Sequence, residues 1–226
     1  MSDTGLSPPV AGALLAILIM IPISAFIGGF LIGSIPFGYL VGRLFYRTDI
    51  RRQGSGNIGA MNALRAFGKG GAAAVLVLDA LKGFVPTFVV YELFSVDLDF
   101  QLVSSGNQVM AAIVATGAVL GHCFSPWLRF RGGKGVATFF GAILALSWPA
   151  GLVALGGWLA GAAITRYSSV GSIFGSVLAP FALWYFTGSL PETAFGVFAA
   201  LVILLKHGEN IARLRTGTEG PIRLSK

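Results

Sequence analysis

The stretch VAGALLAILIMIPISAFIGGFLIGSIPFGYLVGRLFY, residues 10–46, decides the fold class. It contains one charged residue, Arg43, and it is much longer than the roughly 20 apolar residues that an α-helix needs to cross a bilayer. The tail before it lacks the basic region of a cleaved signal peptide. We therefore expect an uncleaved first membrane span that tilts, projects beyond the bilayer, or bends near Pro22 or Pro36.

The whole chain shares this apolar character. Hydrophobic residues make up 55% of the 226 residues and charged residues 11%, and the mean hydropathy is +0.80. This composition excludes a soluble globule of this size and indicates an all-α, polytopic integral membrane bundle. The 32 glycines lie largely inside apolar segments, where small residues let transmembrane helices approach closely.

Hydropathy predicts about seven transmembrane helices in a single domain over residues 1–226. After the first span, the apolar segments are 71–94, 106–127, 136–147, 150–164, 169–186 and 192–205. Of the 16 Lys and Arg residues, only Lys82 lies well inside a predicted span. Seven crossings keep every loop cation on one side, so the positive-inside rule places the N-terminus outside and the C-terminus inside.

One connection and one short segment of this topology need separate predictions. The link between the second and third spans contains Asp97 and Asp99 without Lys or Arg, so we expect it outside. The segment 136–147 is short for a full crossing, and it is either a short span or one half of a re-entrant pair with its neighbour.

Charge and cysteine content restrict the function classes. The net charge is +7, but the cations lie in loops beside apolar spans, where anionic lipid and membrane topology explain them; nucleic acid is not expected as a partner. The single cysteine, Cys123, excludes an internal disulfide and is read as a small buried hydrophobe, with an acyl-carrying thiol as the alternative.

A glycine loop, residues 129–138 with the sequence RFRGGKGVAT, interrupts two of the apolar segments. Glycines leave backbone N–H groups accessible, and a helix that begins in such a loop favours a bound anion at its N-terminus. The loop is not a nucleotide P-loop, because Leu128 and Gly135 occupy positions that require Gly and Ser or Thr. The alternative is a basic cytoplasmic turn that only fixes topology.

Two more polar clusters fall on the same predicted side of the membrane. The first polar loop, residues 54–65, carries Asn57, Asn62 and Arg65, and a capped connector on the membrane surface is its alternative interpretation. The third cluster, residues 206–210, carries His207 and Asn210, which share one face of a helix. Because all three lie on one side, they can form one site.

Asp79 and Lys82 are charged residues inside the second span. Their spacing of three places them on one helix face, and an unpaired charge at that depth would cost about 2.5–3.5 kcal/mol. We expect a structural ion pair; the alternative directs Lys82 toward the polar site.

Four motifs in this order resemble the bacterial acylphosphate:glycerol-3-phosphate acyltransferases. They are GSIPFG at 33–38, GSGNIGAMN at 54–62, GGKGVAT at 132–138 and HGEN at 207–210, and the resemblance covers nearly all of residues 29–218. One departure is Met61, where the family usually has Thr, so a hydroxyl there cannot be essential.

The resemblance implies a multi-pass enzyme of the bacterial cytoplasmic membrane with its active site toward the cytoplasm. Its partners would be acyl phosphate, glycerol 3-phosphate and membrane lipid, and the product would be lysophosphatidic acid. No cofactor or metal is implied. Acyl phosphate is a mixed anhydride with a good leaving group, so direct attack by the sn-1 hydroxyl, without a covalent acyl-enzyme, is expected.

The resemblance also implies the site residues. As catalytic residues it implies Ser55, Arg65, Lys134, His207 and Asn210. As substrate-binding residues it implies Asn57, Asn62, Gly132, Gly133, Gly135, Thr138 and Ser172. We expect Arg65 and Lys134 to stabilise charge, with His207 or a substrate phosphate oxygen taking the proton.

Other functions fit less well. Neither histidine begins the His-x-x-x-x-Asp pair of acyl-CoA-dependent acyltransferases, since Trp127 and Ala212 stand five residues after them. A transporter of phosphate-bearing solutes would place polar residues near the midplane on several spans, whereas only Asp79 and Lys82 do so here. A non-catalytic membrane scaffold is the third alternative.

Overall fold

The structure, a computed structural model, describes residues 7–95 and 106–222 as a bundle of α-helices without strands. In chain order the helices are α1 (Pro8–Gly33), α2 (Phe37–Phe45), α3 (Ala60–Leu93), α4 (Gly106–Cys123), α5 (Val136–Leu146), α6 (Trp148–Thr165), α7 (Ser168–Thr187), α8 (Leu190–Lys206) and α9 (Gly208–Arg215). The predicted all-α membrane bundle is confirmed. Asp97 and Asp99, predicted to lie outside, fall beyond the described residues.

The first apolar run breaks at Pro36 and not at Pro22. α1 continues through Pro22, and α2 begins after Pro36, which has no N–H to extend the helix. The break frees carbonyl oxygens that would otherwise accept helix bonds. Ser125 Oγ donates to Ser34 O at 2.6 Å, and Lys82 Nζ donates to Ile35 O at 2.9 Å.

α3 begins earlier than hydropathy predicts and bends at Gly68. The backbone there has φ 75° and ψ −168°, a conformation that glycine adopts without a Cβ penalty. The residues before Gly68 therefore form a separate helical piece that starts in the first polar loop, and those after it form the apolar span.

Five segments of the described chain are long and apolar enough to cross a membrane, and α8 with α9, which are bent by 55°, form a sixth only when they are counted as one span. α5 has only 11 residues, about 16 Å of helix, which is too short to cross alone. Seven crossings, and the orientation with the N-terminus outside, stay predictions.

α5 lies inside the bundle, packed against α3, α4, α6 and α8. Its Phe139 and Ile143 are fully buried, as are Leu183 and Ile203, and Phe195 of the same core is buried beside them. Because protein surrounds this short helix, its N-terminus and the preceding glycine loop end within the bundle. Cys123 belongs to the same buried core, as expected for a small hydrophobe.

Close helix contacts depend on glycine, as the composition predicts. A Cβ at Gly117 of α4 would overlap the backbone of α1, and one at Gly171 of α7 would overlap the carbonyl of Trp158 on α6. Such contacts hold together helices whose outer faces are apolar.

Candidate active site

One cavity of about 610 Å³ brings the three polar clusters together. The first polar loop, the glycine loop, α7 and the third cluster line its polar end. Nine of the twelve predicted site residues line it: Ser55, Asn57, Asn62, Arg65, Lys134, Gly135, Ser172, His207 and Asn210. The three clusters that the sequence places on one side of the membrane therefore line one cavity in the structure.

Asn62 organises the first polar loop from inside. Its Oδ1 accepts from Ser55 N at 2.9 Å, and its Nδ2 donates to the carbonyl oxygens of Ile50, Gln53 and Asn57 at 3.1, 2.9 and 2.8 Å. The side chain is buried, and its amide is fully engaged with backbone. Asn62 therefore holds the first polar loop together, and its part in substrate binding stays a prediction.

Lys134, Asn210 and Glu219 form a hydrogen-bonded chain across the cavity mouth. Lys134 Nζ donates to Asn210 Oδ1, and Asn210 Nδ2 donates to Glu219 Oε1 at 2.6 Å. Glu219 also accepts from Ser169 Oγ at 2.8 Å and from Arg213 Nε at 2.7 Å. The carboxylate therefore ties the C-terminal tail to α7 and α9.

Sequence reasoning did not find Glu219. A signal for it exists, since Glu219 is the one acidic residue that follows Glu209 in an otherwise basic tail. Burial opposes its ionisation, but hydrogen bonds from Asn210, Arg213 and Ser169 hold the pKa of Glu219 below its ordinary value. The carboxylate is therefore charged at neutral pH.

The cavity concentrates positive charge around Lys134. Burial, together with the nearby cations Arg213 and Arg65, lowers the pKa of Lys134 to about 8. Arg65 lines the cavity with an exposed side chain, for which the structure records no hydrogen bond among the described residues. A polar pocket with a half-buried ammonium and a free guanidinium is suited to an anion.

The N-terminus of α5 adds backbone donors to this charge. Gly135, Val136 and Ala137 line the cavity, and the first hydrogen bond of the helix runs from Phe139 N to Gly135 O. The amides before Phe139 have no partner within the helix, which is the usual arrangement at an anion-binding helix N-terminus. Gly135 has φ 87°, so a side chain there would strain the loop.

Three predicted site residues, Gly132, Gly133 and Thr138, are not among the residues that line the cavity. A Cβ at Gly132 would overlap the carbonyl oxygen of His122, and a Cβ at Gly133 would overlap the His122 ring. Thr138 is buried with its backbone against Gly83 of α3. These residues shape the loop from behind, and their side chains or Cα atoms face neighbouring helices.

His207 lies at the break between α8 and α9 and lines the cavity. Its Nδ1 lies 2.8 Å from Ile203 O, and because a carbonyl can only accept, Nδ1 carries the proton. The structure records no partner for Nε2 among the described residues. In this tautomer Nε2 is the nitrogen that can accept a proton.

The hydroxyls of α7 complete the polar end. Ser172 Oγ donates to Ser168 O at 2.8 Å, which leaves its oxygen lone pairs free to accept. Both serines line the cavity with Ser169, whose hydroxyl is held by Glu219.

Asp79 and His122 reach the same cavity from α3 and α4. Lys82 Nζ lies 2.8 Å from Asp79 Oδ1, so the predicted ion pair is confirmed, and Lys82 points to Ile35 O instead of the cavity. His122 Nδ1 lies 3.6 Å from the same carboxylate oxygen. Hydropathy did not assign His122 to the site, because it lies within an apolar span.

The other end of the cavity is apolar and opens sideways. Leu76 of α3, Phe140 of α5, and Leu155 and Trp158 of α6 line it. Leu76 is 51% exposed and Leu155 is 37% exposed, although both lie in membrane-spanning helices. The cavity therefore combines an apolar opening suited to a hydrocarbon chain with a polar end suited to a charged group.

Comparisons with known proteins agree with this geometry. Residues 23–217 match the family model described as glycerol-3-phosphate acyltransferase. A glycerol-3-phosphate acyltransferase of Rhodopseudomonas palustris (strain BisB5) is 44% identical over 207 residues, covering 91% of this chain and 98% of that protein. One of Nitrobacter winogradskyi is 46% identical over 200 residues, covering 88% and 94%.

A solved structure has the same fold. It is the crystal structure of PlsY (YgiH), an integral membrane glycerol 3-phosphate acyltransferase, in its glycerol 3-phosphate form. The TM-score is 0.80 with 33% sequence identity, and the match covers 89% of this chain and 96% of that one. Together these similarities show that the chain belongs to the glycerol-3-phosphate acyltransferase family.

Proposed function

We propose that this protein transfers an acyl chain from acyl phosphate to the sn-1 hydroxyl of glycerol 3-phosphate, giving lysophosphatidic acid and phosphate. The observation that carries the proposal is one cavity that has both a cationic, amide-lined end and an apolar end that opens toward lipid. Both substrates carry a phosphate and one carries a long hydrocarbon chain, so the two ends match the two kinds of chemical group.

The polar end supplies the contacts that phosphate requires. Lys134 and Arg65 provide charge, and the free amides at the N-terminus of α5 provide donors without side chains in the way. Asn210 holds the Lys134 ammonium in place. Glu219 does not bond to Lys134 directly, because Asn210 lies between them. In the proposed complex the phosphate of glycerol 3-phosphate therefore binds Lys134 without displacing a hydrogen bond of Glu219.

The apolar end accommodates the acyl chain. Leu76, Leu155 and Trp158 form walls that continue into the lipid-facing surfaces of α3 and α6. A chain that enters from the lipid exchanges one apolar surrounding for another, so its fit against these walls, and not transfer from water, favours this position. The acyl phosphate would therefore lie with its chain between α3 and α6 and its phosphoryl group beside the glycine loop.

The chemical step is direct attack. The sn-1 hydroxyl oxygen bonds to the acyl carbonyl carbon, the carbon–oxygen bond to phosphate breaks, and phosphate leaves with that electron pair. Arg65, Lys134 and the α5 amides stabilise the oxyanion and the leaving phosphate. The hydroxyl proton passes to His207 Nε2 or to a substrate phosphate oxygen. Ser55 and Ser172 orient the substrates by hydrogen bonding.

The proposed location is the bacterial cytoplasmic membrane, with the polar end toward the cytoplasm. The support is the one-sided distribution of loop cations, which include Arg65, Lys134 and Arg213 around the cavity. In that orientation glycerol 3-phosphate enters from the cytoplasm and acyl phosphate from the membrane.

An assay with detergent-solubilised protein tests the proposal. Phosphate release from palmitoyl phosphate should depend on glycerol 3-phosphate and should yield an equal amount of lysophosphatidic acid. Palmitoyl-CoA should not replace palmitoyl phosphate as donor. Release that is independent of glycerol 3-phosphate, or product formation from palmitoyl-CoA alone, would contradict the proposed reaction.

A further inference from the structure

Three charged or polar residues form a buried chain behind the glycine loop. Lys82 Nζ lies 2.8 Å from Asp79 Oδ1. His122 Nδ1 lies 3.6 Å from the same oxygen, an electrostatic contact longer than a hydrogen bond, and it has no hydrogen-bond partner among the described residues. Asp79 is 1% exposed and His122 is 3% exposed. This row of three side chains begins at the helix break, where Lys82 Nζ donates to Ile35 O, and it ends at the His122 ring.

His122 contacts the glycine loop in two ways. Its carbonyl oxygen accepts from Gly133 N at 3.0 Å. Its ring lies against the Gly133 Cα so closely that a Cβ would overlap Nε2. One residue therefore fixes both the backbone and the face of Gly133, which directly precedes Lys134.

Stability alone does not explain this arrangement. A buried ion pair is often no more stable than apolar residues of the same volume, and the membrane interior increases the cost of each charge. Asp79 and His122 also line the cavity, so this row of buried side chains reaches the candidate site itself. Reacting groups require placement to within about 1 Å, whereas a lysine has a flexible stem that needs a fixed backbone.

We propose that His122, oriented by Asp79, is a positioning residue that sets Gly133 and thereby holds Lys134 against the phosphate of glycerol 3-phosphate. His122 forms and breaks no bond to substrate in this role. The inference rests on the proposed function for its kinetic readout, and direct titration of glycerol 3-phosphate provides a readout that does not depend on acyl transfer.

The first test is His122→Asn. The asparagine amide keeps a polar group near the Nδ1 position facing Asp79, while the part of the ring beneath Gly133 is removed. The KM and the Kd for glycerol 3-phosphate should rise on the order of 10-fold, while the KM for palmitoyl phosphate changes less than about 2-fold. A general loss of folded protein would lower the activity without raising the KM for glycerol 3-phosphate alone.

A double-variant cycle tests the contact itself. Gly133→Ala alone should raise the Kd for glycerol 3-phosphate on the order of 10-fold, because the new methyl overlaps the ring. In the His122→Asn background that methyl has room, so the double variant should bind no more weakly than His122→Asn. Additive effects would instead mean that Gly133 is required for substrate access, and the positioning role would be wrong.

The third test separates the effect of Asp79 on His122 from its role in the ion pair with Lys82. Replacing the pair together, Asp79→Leu with Lys82→Met, leaves no unpaired charge and should keep the Tm within a few degrees. Without the carboxylate, His122 loses its orientation and the Kd for glycerol 3-phosphate should rise several-fold. The control is Thr87→Val, a buried α3 residue outside the cavity whose hydroxyl has no partner among the described residues.

The outcomes for the two proposals differ. Wild-type protein without acyl transfer overturns the proposed function, while the titrations still decide the role of His122. If wild-type protein is active and both His122→Asn and the Asp79→Leu, Lys82→Met variant bind glycerol 3-phosphate normally, His122 does not position Lys134.

Discussion

Asn210 donates its amide N–H to Glu219 at 2.6 Å, and this bond decides which end of the amide faces the cavity. With Nδ2 held by a carboxylate, Oδ1 is left to accept from Lys134. Glu219 lies outside residues 23–217, which match the family model. Its carboxylate nevertheless orients the Lys134 ammonium of the anion site through two hydrogen bonds, with Asn210 between them.

Glu219→Gln should weaken glycerol 3-phosphate binding without removing any residue from the phosphate contacts. The amide of glutamine has one donor end, which would face either Arg213 or the Ser169 and Asn210 pair, so one of these groups loses its acceptor. We expect kcat/KM for glycerol 3-phosphate to fall on the order of 10-fold, measured by steady-state kinetics.

The matched control for that substitution is Glu209→Gln. Glu209 also pairs with Arg213, at 3.8 Å, but its side chain is largely exposed. Exposed ion pairs contribute about 0–1 kcal/mol, so kcat/KM should change less than about 2-fold. Equal losses in both variants would indicate a general charge effect around Arg213 and not the orientation of Asn210.

Lys134 should give the enzyme an alkaline limit. Its pKa is lowered to about 8, chiefly by burial, so the free enzyme loses this positive charge as the pH rises through about 8. The kcat/KM for glycerol 3-phosphate, which reports the free enzyme, should therefore fall above about pH 8. Lys134→Arg should keep its charge and move the fall to higher pH, whereas an unchanged profile would assign the limit to another group.

Much of the site could be predicted because membrane topology is written in hydropathy and loop charge. The positions of Arg65, Lys134 and Asn210 on one side of the spans were enough to predict a shared site, and the structure brings them to one cavity. Asp79 and Lys82 were paired from helical spacing alone, since residues three apart share a face.

The residues that sequence reasoning missed are those whose partners are distant in the chain. His122 reaches the site only because α4 ends beneath Gly133, and Glu219 reaches it because the tail folds back on α7 and α9. Spacing rules cover local contacts, so they predict neither approach, and the isolated acid Glu219 in a basic tail is the one signal that the sequence offers. The same limit affected Asn62, whose four backbone contacts depend on how the first polar loop closes.

Asn62→Asp should loosen the first polar loop. The substitution removes the donors that hold the carbonyls of Ile50, Gln53 and Asn57, and it buries a carboxylate beside them. A loss on the order of 3 kcal/mol in local stability is expected, which hydrogen exchange of residues 50–62 can measure. The control, Asn107→Ala, removes an exposed hydrogen bond to Ser95 and should leave exchange in that loop unchanged.

Trp158→Ala should shift the preference for acyl-chain length. Trp158 lines the apolar end of the cavity, and removing its ring makes room for methylenes of a longer chain, where one methylene more or less in an apolar pocket changes kcat/KM by about 10-fold or more. The ratio of kcat/KM for stearoyl phosphate over lauroyl phosphate should rise roughly 10-fold in mixed micelles of fixed composition. Trp184→Ala, which removes an exposed tryptophan outside the cavity, serves as control. An equal ratio in wild type and both variants would mean that the chain lies elsewhere on the bundle.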